Sequence, residues 1–347
     1  MIDIALYGYN ESGHPPDGYI PGRIIKHQRE KYTVITKYGE KTAVLKGANY
    51  HGVGTREDFP CVGDFVFLQY NASGVSRIAK LLPRRTKFSR ADFSGHAAGY
   101  VKTILEQVVA ANFDYVFILS SLNLDFNINR ILRYLTQAWQ SGGIPVVILT
   151  KADTASDINA VLVDIKNAAP DVPVHAISAH TGFGMGGLDE YLQPRKTVVF
   201  LGMSGVGKSS LLNALMGLEV MAVKAIREND SRGRHATTHR QLFMLPSGAM
   251  AIDTPGMREL GLFNSDVGIS TGFADVEMLF GQCRFSDCHH NTEPGCAVRA
   301  ALNNGTLPKE HWNRYLAQKR ENMFVGNKAS YLMDNRAKYK PPAISDK

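Results

Sequence analysis

The sequence predicts a multidomain chain of three unlike parts: an N-terminal all-β barrel, a central α/β domain, and a C-terminal α-helical subdomain gathered on a metal site. Three observations predict this. Short β-type apolar runs crowd the first ninety residues, strands then alternate with helical segments, and three cysteines fall with two histidines inside residues 283–296. At 347 residues the chain has room for two or three domains. With 44% hydrophobic and 20% charged residues it can bury ordinary cores. A formal net charge of +7 suits a polyanionic partner, although many enzymes share such an excess.

Residues 1–20 are polar and punctuated by Gly and Pro, and are expected to form a flexible extension. The start MIDIALYGYNESG lacks the basic end and long apolar core of a signal peptide, and no apolar run approaches the roughly 18 residues needed to cross a membrane. A cytoplasmic protein without membrane contact is expected. Residues 21–90 hold five β-type runs, at 22–25, 32–36, 42–45, 65–68 and 75–78, separated by turn residues. Five strands in so short a span suggest a barrel of the OB type. Arg23, Lys26, His27, Arg29, Lys31, Lys37 and Lys41 give it a basic side, suited to nucleic acid and equally to plain solvation. Residues 83–90 read as a charged connector.

Residues 91–263 change period. Strand-like runs at 113–121, 144–149, 173–177 and Thr197–Leu201 alternate with helical ones, of which 128–140 carries Ile131, Leu132, Leu135 and Trp139 at helical spacing; residues 241–245 and 249–252 form a hairpin. The pattern predicts a mostly parallel sheet covered on both faces, with ligands at the carboxyl ends of its strands. One such end is Gly202-Met203-Ser204-Gly205-Val206-Gly207-Lys208-Ser209, which fits G-x-x-x-x-G-K-[ST] between a β-branched run and a helix containing Ser210, Leu211 and Leu212. The glycines let successive N–H groups turn toward phosphate oxygens, and the helix adds its positive end. Lys208 would reach the β/γ-phosphates and the Ser209 hydroxyl would ligate Mg²⁺.

Three further strand ends carry chemistry. In 251–256 (AIDTPG) Asp253 would hold Mg²⁺ through water and the Gly256 N–H would sense a γ-phosphate. Thr150-Lys151-Ala152-Asp153 resembles the guanine-reading N-K-x-D, in which the aspartate accepts from guanine N1 and N2, and Ile177-Ser178-Ala179 resembles the loop that caps the base. The sequence thus resembles the translation-factor-like GTPases, with one departure: the guanine element precedes the phosphate loop. A circular permutation produces that order from short new connections.

That order, with an OB barrel before it and a cysteine cluster after it, resembles the circularly permuted ribosome small-subunit biogenesis GTPases, the RsgA (YjeQ/EngC) family, over roughly residues 20–320. The resemblance implies a GTP hydrolase that acts with GTP/GDP and Mg²⁺, binds the small (30S) ribosomal subunit and 16S rRNA as a monomer, and couples hydrolysis to late subunit maturation and its own release, slowly alone and faster on the subunit. By the same resemblance residues 233–238 (GRHATT) are the switch segment, with Ala236 where the family has threonine. Thr237 would then complete the Mg²⁺ shell beside Ser209 and Asp253, with Thr238 as the fallback. Met257 stands where many GTPases have a water-orienting glutamine. His235 is the candidate for that task, and Lys208 and Thr237 complete the catalytic set. Thr150 replaces the family's asparagine, and a hydroxyl makes only part of an amide's bonds, so weaker guanine affinity is expected.

In residues 264–325 the set Cys283, Cys288, His290 and Cys296 offers three thiolates and one imidazole, a closed tetrahedral set for one structural Zn²⁺. The resemblance implies His290 as the ligand; His289 is the alternative. Residues 326–347 are expected to be a frayed basic tail. Two other readings stay open from sequence: an RNA-binding guanine-nucleotide switch without a ribosomal role, and a P-loop ATPase.

Overall fold

Strand β1 (Tyr19–Gln28) belongs to two structures at once. Its first half closes a barrel with β2 (Lys31–Thr36), β3 (Gly39–Leu45), β4 (Phe65–Gln69) and β5 (Ser76–Leu81), in the order β1-β2-β3-β5-β4 and back to β1. Ile24, Val34, Ala43, Val66, Leu68 and Ile78 fill its interior. Where β1 crosses the barrel only glycine fits: a Cβ on Gly22 would lie 2.6 Å from Val34 Cγ1 and 2.9 Å from the Ile35 carbonyl oxygen. This computed structural model describes residues 1–10, 15–28, 30–46, 58–92, 105–123, 126–221, 240–253 and 265–338.

A bulge between Ile24 and Lys26 turns β1 out of the barrel. Its last residues pair with β12 (Arg240–Met244), Lys26 opposite Gln241 and His27 opposite Arg240. Beyond β12 the sheet continues through β13 (Met250–Asp253), β11 (Thr197–Leu201), β8 (Tyr115–Ser121), β9 (Ile144–Thr150) and β10 (Val174–Ala176). These last five strands are parallel, and β12 runs against β13. Alternate residues of each strand enter opposite cores, as a doubly covered sheet requires. Val116, Ile118, Val147, Leu149, Val199 and Ile252 pack with Ile131, Leu135 and Ala138 of α1 (Ile128–Ser141). Phe117, Leu119, Val146, Ile148, Val198 and Phe200 pack with Leu211 and Leu212 of α3 (Lys208–Met216). Between β9 and β10 runs α2 (Ile158–Ala168).

Four expectations need correction. The connector at 83–90 is partly strand: β6 (Lys87–Asp92) pairs with β7 (Leu105–Ala111), and Phe88, Val109 and Ala110 join the core under α1. Arg23 is not on a basic surface. It is 1% exposed, lies over the Phe65 ring, and donates to the carbonyls of Tyr7 (2.7 Å), Gly63 (3.1 Å) and Asn112 (2.6 Å) and to Thr197 Oγ1 (3.0 Å). Burial, the largest influence, pulls its guanidinium down to about 9. That anchor also explains why the start of the chain is no loose extension: residues 4–7 form a 3-10 turn capped by Asp3, Tyr7 meets Arg23, and the Ile2 N–H donates to the Lys37 carbonyl at 2.9 Å.

Of the C-terminal helices α4 (Asp266–Gly272), α5 (Ala274–Phe280), α6 (Ala297–Asn304) and α7 (Lys309–Lys338), α4 and α7 dock on α1, and α5 packs on α4 and α6. A Cβ on Gly268 would come 2.0 Å from the Thr136 carbonyl oxygen, so α4 and α1 touch backbone to backbone. Thr136 Oγ1 donates to Gln318 Oε1 at 2.7 Å, and Arg133 bonds Glu321. The fourth correction is the tail, which stays helical as far as Lys338. No helix among the described residues is long and apolar enough to cross a membrane.

Candidate nucleotide-binding site and metal centre

The carboxyl ends of β8, β9, β10, β11 and β13 lie along one edge of the sheet, and the loops leaving them carry the candidate residues. From β11 the chain passes through Gly202, Met203, Ser204, Gly205, Val206 and Gly207 into α3. Gly202, Gly205 and Gly207 all take positive φ (155°, 76° and 103°), which a side chain would oppose. At Gly202 there is also no space, since a Cβ would sit 2.7 Å from the Leu119 carbonyl oxygen. Lys208 Nζ donates to the carbonyls of Gly202 and Met203, which folds the loop around its own ammonium. Ser209 and Ser210 are half-buried in the first turn of α3. Asp253, buried, ends β13; the pairing of Val199 with Ile252 puts it beside the strand that enters the loop.

Thr150, at the end of β9, acts on the same loop. Its hydroxyl donates to the Val206 carbonyl at 2.6 Å. A hydroxyl has one proton to give, so this bond uses the donor that an asparagine amide would supply twice. Lys151 follows at φ 60°, and the 3-10 turn Ala152–Thr154 presents Asp153 to solvent. The Ala152 N–H donates to the Ile177 carbonyl at 3.0 Å, which brings the β9 loop against the loop after β10. There Ser178 is buried and Ala179 half-buried. Hydrogen bonding from Ser178, the largest influence, holds the Asp153 carboxyl below its ordinary value and so keeps it an acceptor. The sheet therefore unites Thr150, Lys151, Asp153, Ser178 and Ala179 with the phosphate loop. His235, Thr237, Thr238 and Gly256, with Ala236 and Met257, lie outside the described residues.

Sequence reasoning missed Arg130. Asn127 caps α1 by accepting from the Arg130 N–H at 3.1 Å, and the Arg130 guanidinium meets the Met203 sulfur of the phosphate loop. Its place in the first turn of a helix that follows a sheet strand was the available signal.

In the C-terminal subdomain Cys283, Cys288, His290 and Cys296 each bring a donor atom within 4.8 Å of the others. Tetrahedral zinc with sulfur at about 2.3 Å needs donors roughly 4 Å apart, so the set fits. His290 Nδ1 lies 3.6 Å from Cys283 Sγ and 3.5 Å from Cys296 Sγ, while His289 is exposed and outside the cluster. His290 takes φ 62°, its ring stacked on Phe280 at 4.4 Å with Trp312 edge-on. Burial keeps its imidazole below its ordinary value, toward the neutral form a ligand needs. Cys296 caps α6, its sulfur accepting from the Arg299 N–H. Glu293 braces the turn by accepting from the N–H groups of His289, Asn291 and Thr292 at 2.8–3.0 Å. Those backbone donors, with its own N–H first, take its carboxyl down to about 2.

Residues 81–263 match the model of a family described as RsgA GTPase. A Listeria monocytogenes protein named small ribosomal subunit biogenesis GTPase RsgA 2 is 44% identical over 89% of this chain and 85% of its own length. A protein named small ribosomal subunit biogenesis GTPase RsgA 1, from Oceanobacillus iheyensis, is 39% identical over 95% and 94%. Among solved structures, YjeQ from Thermotoga maritima superposes with a TM-score of 0.63 at 25% identity, covering 88% of this chain and 99% of that one. YloQ, titled a circularly permuted GTPase, shares the fold at a TM-score of 0.57 and 22% identity, over 95% and 99%.

Proposed function

The chain belongs to the RsgA GTPase family, and from that premise we propose how its residues divide the work of a small-subunit biogenesis GTPase. It hydrolyses GTP to GDP and phosphate and serves the maturation of the small ribosomal subunit. The observation that carries the residue assignment is the meeting of two loops on one sheet edge: Thr150 bonds the phosphate loop while Asp153, three residues on, stands beside Ser178. Phosphates would lie in the amides of residues 202–209 with Lys208 on the β/γ oxygens, and guanine N1 and N2 would donate to Asp153 with Ser178 and Ala179 at the base edge. Catalysis is positioning and charge neutralisation. Ser209, Thr237 and Asp253 would hold Mg²⁺, which supplies charge neutralisation on the phosphate oxygens. Lys208 stabilises the same charge from the protein side, and His235 orients the attacking water.

Zn²⁺ on Cys283, Cys288, His290 and Cys296 is structural, because four protein donors leave no open position. The barrel and the zinc subdomain contact 16S rRNA, and a monomer in the cytoplasm leaves the subunit after hydrolysis. The test is the rate of GTP hydrolysis with and without small ribosomal subunits, at matched salt and with ATP as control. Strong stimulation confined to GTP is expected. Hydrolysis that small subunits leave unchanged would withdraw the ribosomal role, and equal use of ATP would withdraw the guanine assignment.

A further inference from the structure

On the barrel, Tyr38 and Tyr70 lie outside the interior cluster that seals it, yet their rings meet, with centroids 4.6 Å apart and planes 36° from parallel. Tyr38 is 50% exposed, a large ring left in water at the tip of the β2–β3 turn. Tyr70 opens the β4–β5 loop. Lys37 Nζ stands 5.1 Å from the Tyr38 centroid and Lys41 Nζ 5.4 Å from that of Tyr70, both within cation–π range. Gln69, the residue before Tyr70, pairs with Arg77 across the ladder. Glu40 is the one carboxylate in residues 36–42 and 69–77.

The geometry is held by bonds rather than by packing. Thr36 Oγ1 donates to the Gly39 carbonyl at 2.9 Å and accepts from the Tyr38 N–H at 3.1 Å, fixing the turn. Asn71 Oδ1 accepts from the Ser73 N–H, the Asn71 N–H donates to Ser76 Oγ, and Lys41 Nζ donates to the Ala72 carbonyl at 2.9 Å, tying β3 to the loop. A turn and a loop fixed in this way lose little backbone freedom when a further ring stacks on the pair. In five-stranded barrels of this order, oligonucleotides lie on strands 2 and 3 and on the loop between strands 4 and 5; Tyr38 sits in the turn that joins the first two and Tyr70 in that loop.

We propose that Tyr38 and Tyr70 form a stacking platform for unpaired bases of single-stranded RNA, with Lys37 and Lys41 on its phosphates. That the RNA comes from the small subunit rests on the proposed function; the platform does not. Stacking selects unpaired bases because a duplex buries their faces, and sequence matters little because every base has a face to offer.

The full chain tests this with a fluorescent ten-nucleotide pyrimidine RNA and a duplex of equal length, read by anisotropy across a salt series. Tyr38→Ala, alone and with Tyr70→Ala, should weaken single-strand binding by about 5- to 100-fold. Tyr38→Phe with Tyr70→Phe should retain it, and unstimulated GTP hydrolysis should not change. The single variant guards against a fold defect, since Tyr38 packs on nothing in the barrel interior. Unchanged single-strand binding by both alanine variants, or wild-type binding of duplex as tight as single strand, would overturn the platform. Small-subunit stimulation separates the two claims. Tyrosine-dependent binding of the RNA without stimulation keeps the platform and removes the ribosomal reading, and stimulation with tyrosine-independent binding does the reverse.

Discussion

The phosphate loop leaves a strand buried on both faces and enters a helix, whereas the cysteine loop leaves the seven-residue helix α5 and is sheltered by a few aromatic rings. In the first, the backbone is set before any ligand arrives: three positive-φ glycines, the Lys208 contacts to its carbonyls, and the Thr150 bond to Val206. In the second, the small cluster of Ile269, Phe273, Val276, Val298, Leu307 and Tyr315 lies behind a loop whose own residues are mostly exposed. The first candidate site is made by the fold, whereas a metal on the second would make part of the fold. The difference teaches where each region will fail.

Removing zinc should have the largest effect. Chelation at neutral pH is expected to raise amide hydrogen exchange throughout residues 283–304 while a fluorescent GDP analogue still binds, because structural zinc contributes folding free energy directly. Equal loss of both would show that the two loops fail together. The next break is Lys208→Ala, which should cut GTP hydrolysis by about 100-fold or more with zinc content unchanged by metal analysis. Asp153→Asn comes third: GTP should bind at least about 100-fold more weakly while xanthine nucleotides gain, read in a competition assay.

Thr150→Val keeps the shape and removes the proton donated to Val206. Leaving that carbonyl unpaired costs about 1–3 kcal/mol, so guanine nucleotide affinity should fall about tenfold in calorimetry. The smallest effect belongs to Glu293→Gln, which weakens the brace of residues 289–292 and should lower zinc affinity by about tenfold or less in a chelator competition. The carboxyl sits at about 2 against an ordinary 4.5, so its contribution is complete above pH 4.5 and is lost as pH falls toward 2. The variant's deficit should therefore be full and constant across neutral pH, the range in which thiolate ligands hold a metal.

The glycine loop and the cysteine cluster were legible in the sequence for one reason: their residues are local, and each depends on spacing within one short segment. Gly202 to Ser209 and Cys283 to Cys296 can be read without knowing what packs on them. Thr150 was legible as a departure from N-K-x-D, but its partner Val206 is 56 residues away and only the sheet brings them together. Arg23 reads as one more cation in a basic run; its burial depends on carbonyls of Tyr7, Gly63 and Asn112, which no local pattern announces. The pairing of β6 with β7 was hidden because residues 83–90 carry charge on a strand that also offers Phe88 to a core. The helix that persists to Lys338 was hidden by a composition typical of a tail.

The shared strand has a practical consequence for dividing this protein into pieces. A fragment that stops before residue 240 keeps the whole barrel but leaves the last turn of β1, Lys26 and His27, without the strand that hydrogen-bonds it. A fragment that begins after residue 90 strips β12 of the same partner and also loses Arg23, the cation that ties four chain segments together. Each piece would carry a raw β edge, a template for sticking to its neighbours. The smallest portion expected to stay in solution by itself is therefore nearly the whole chain, even though it contains three separately recognisable modules.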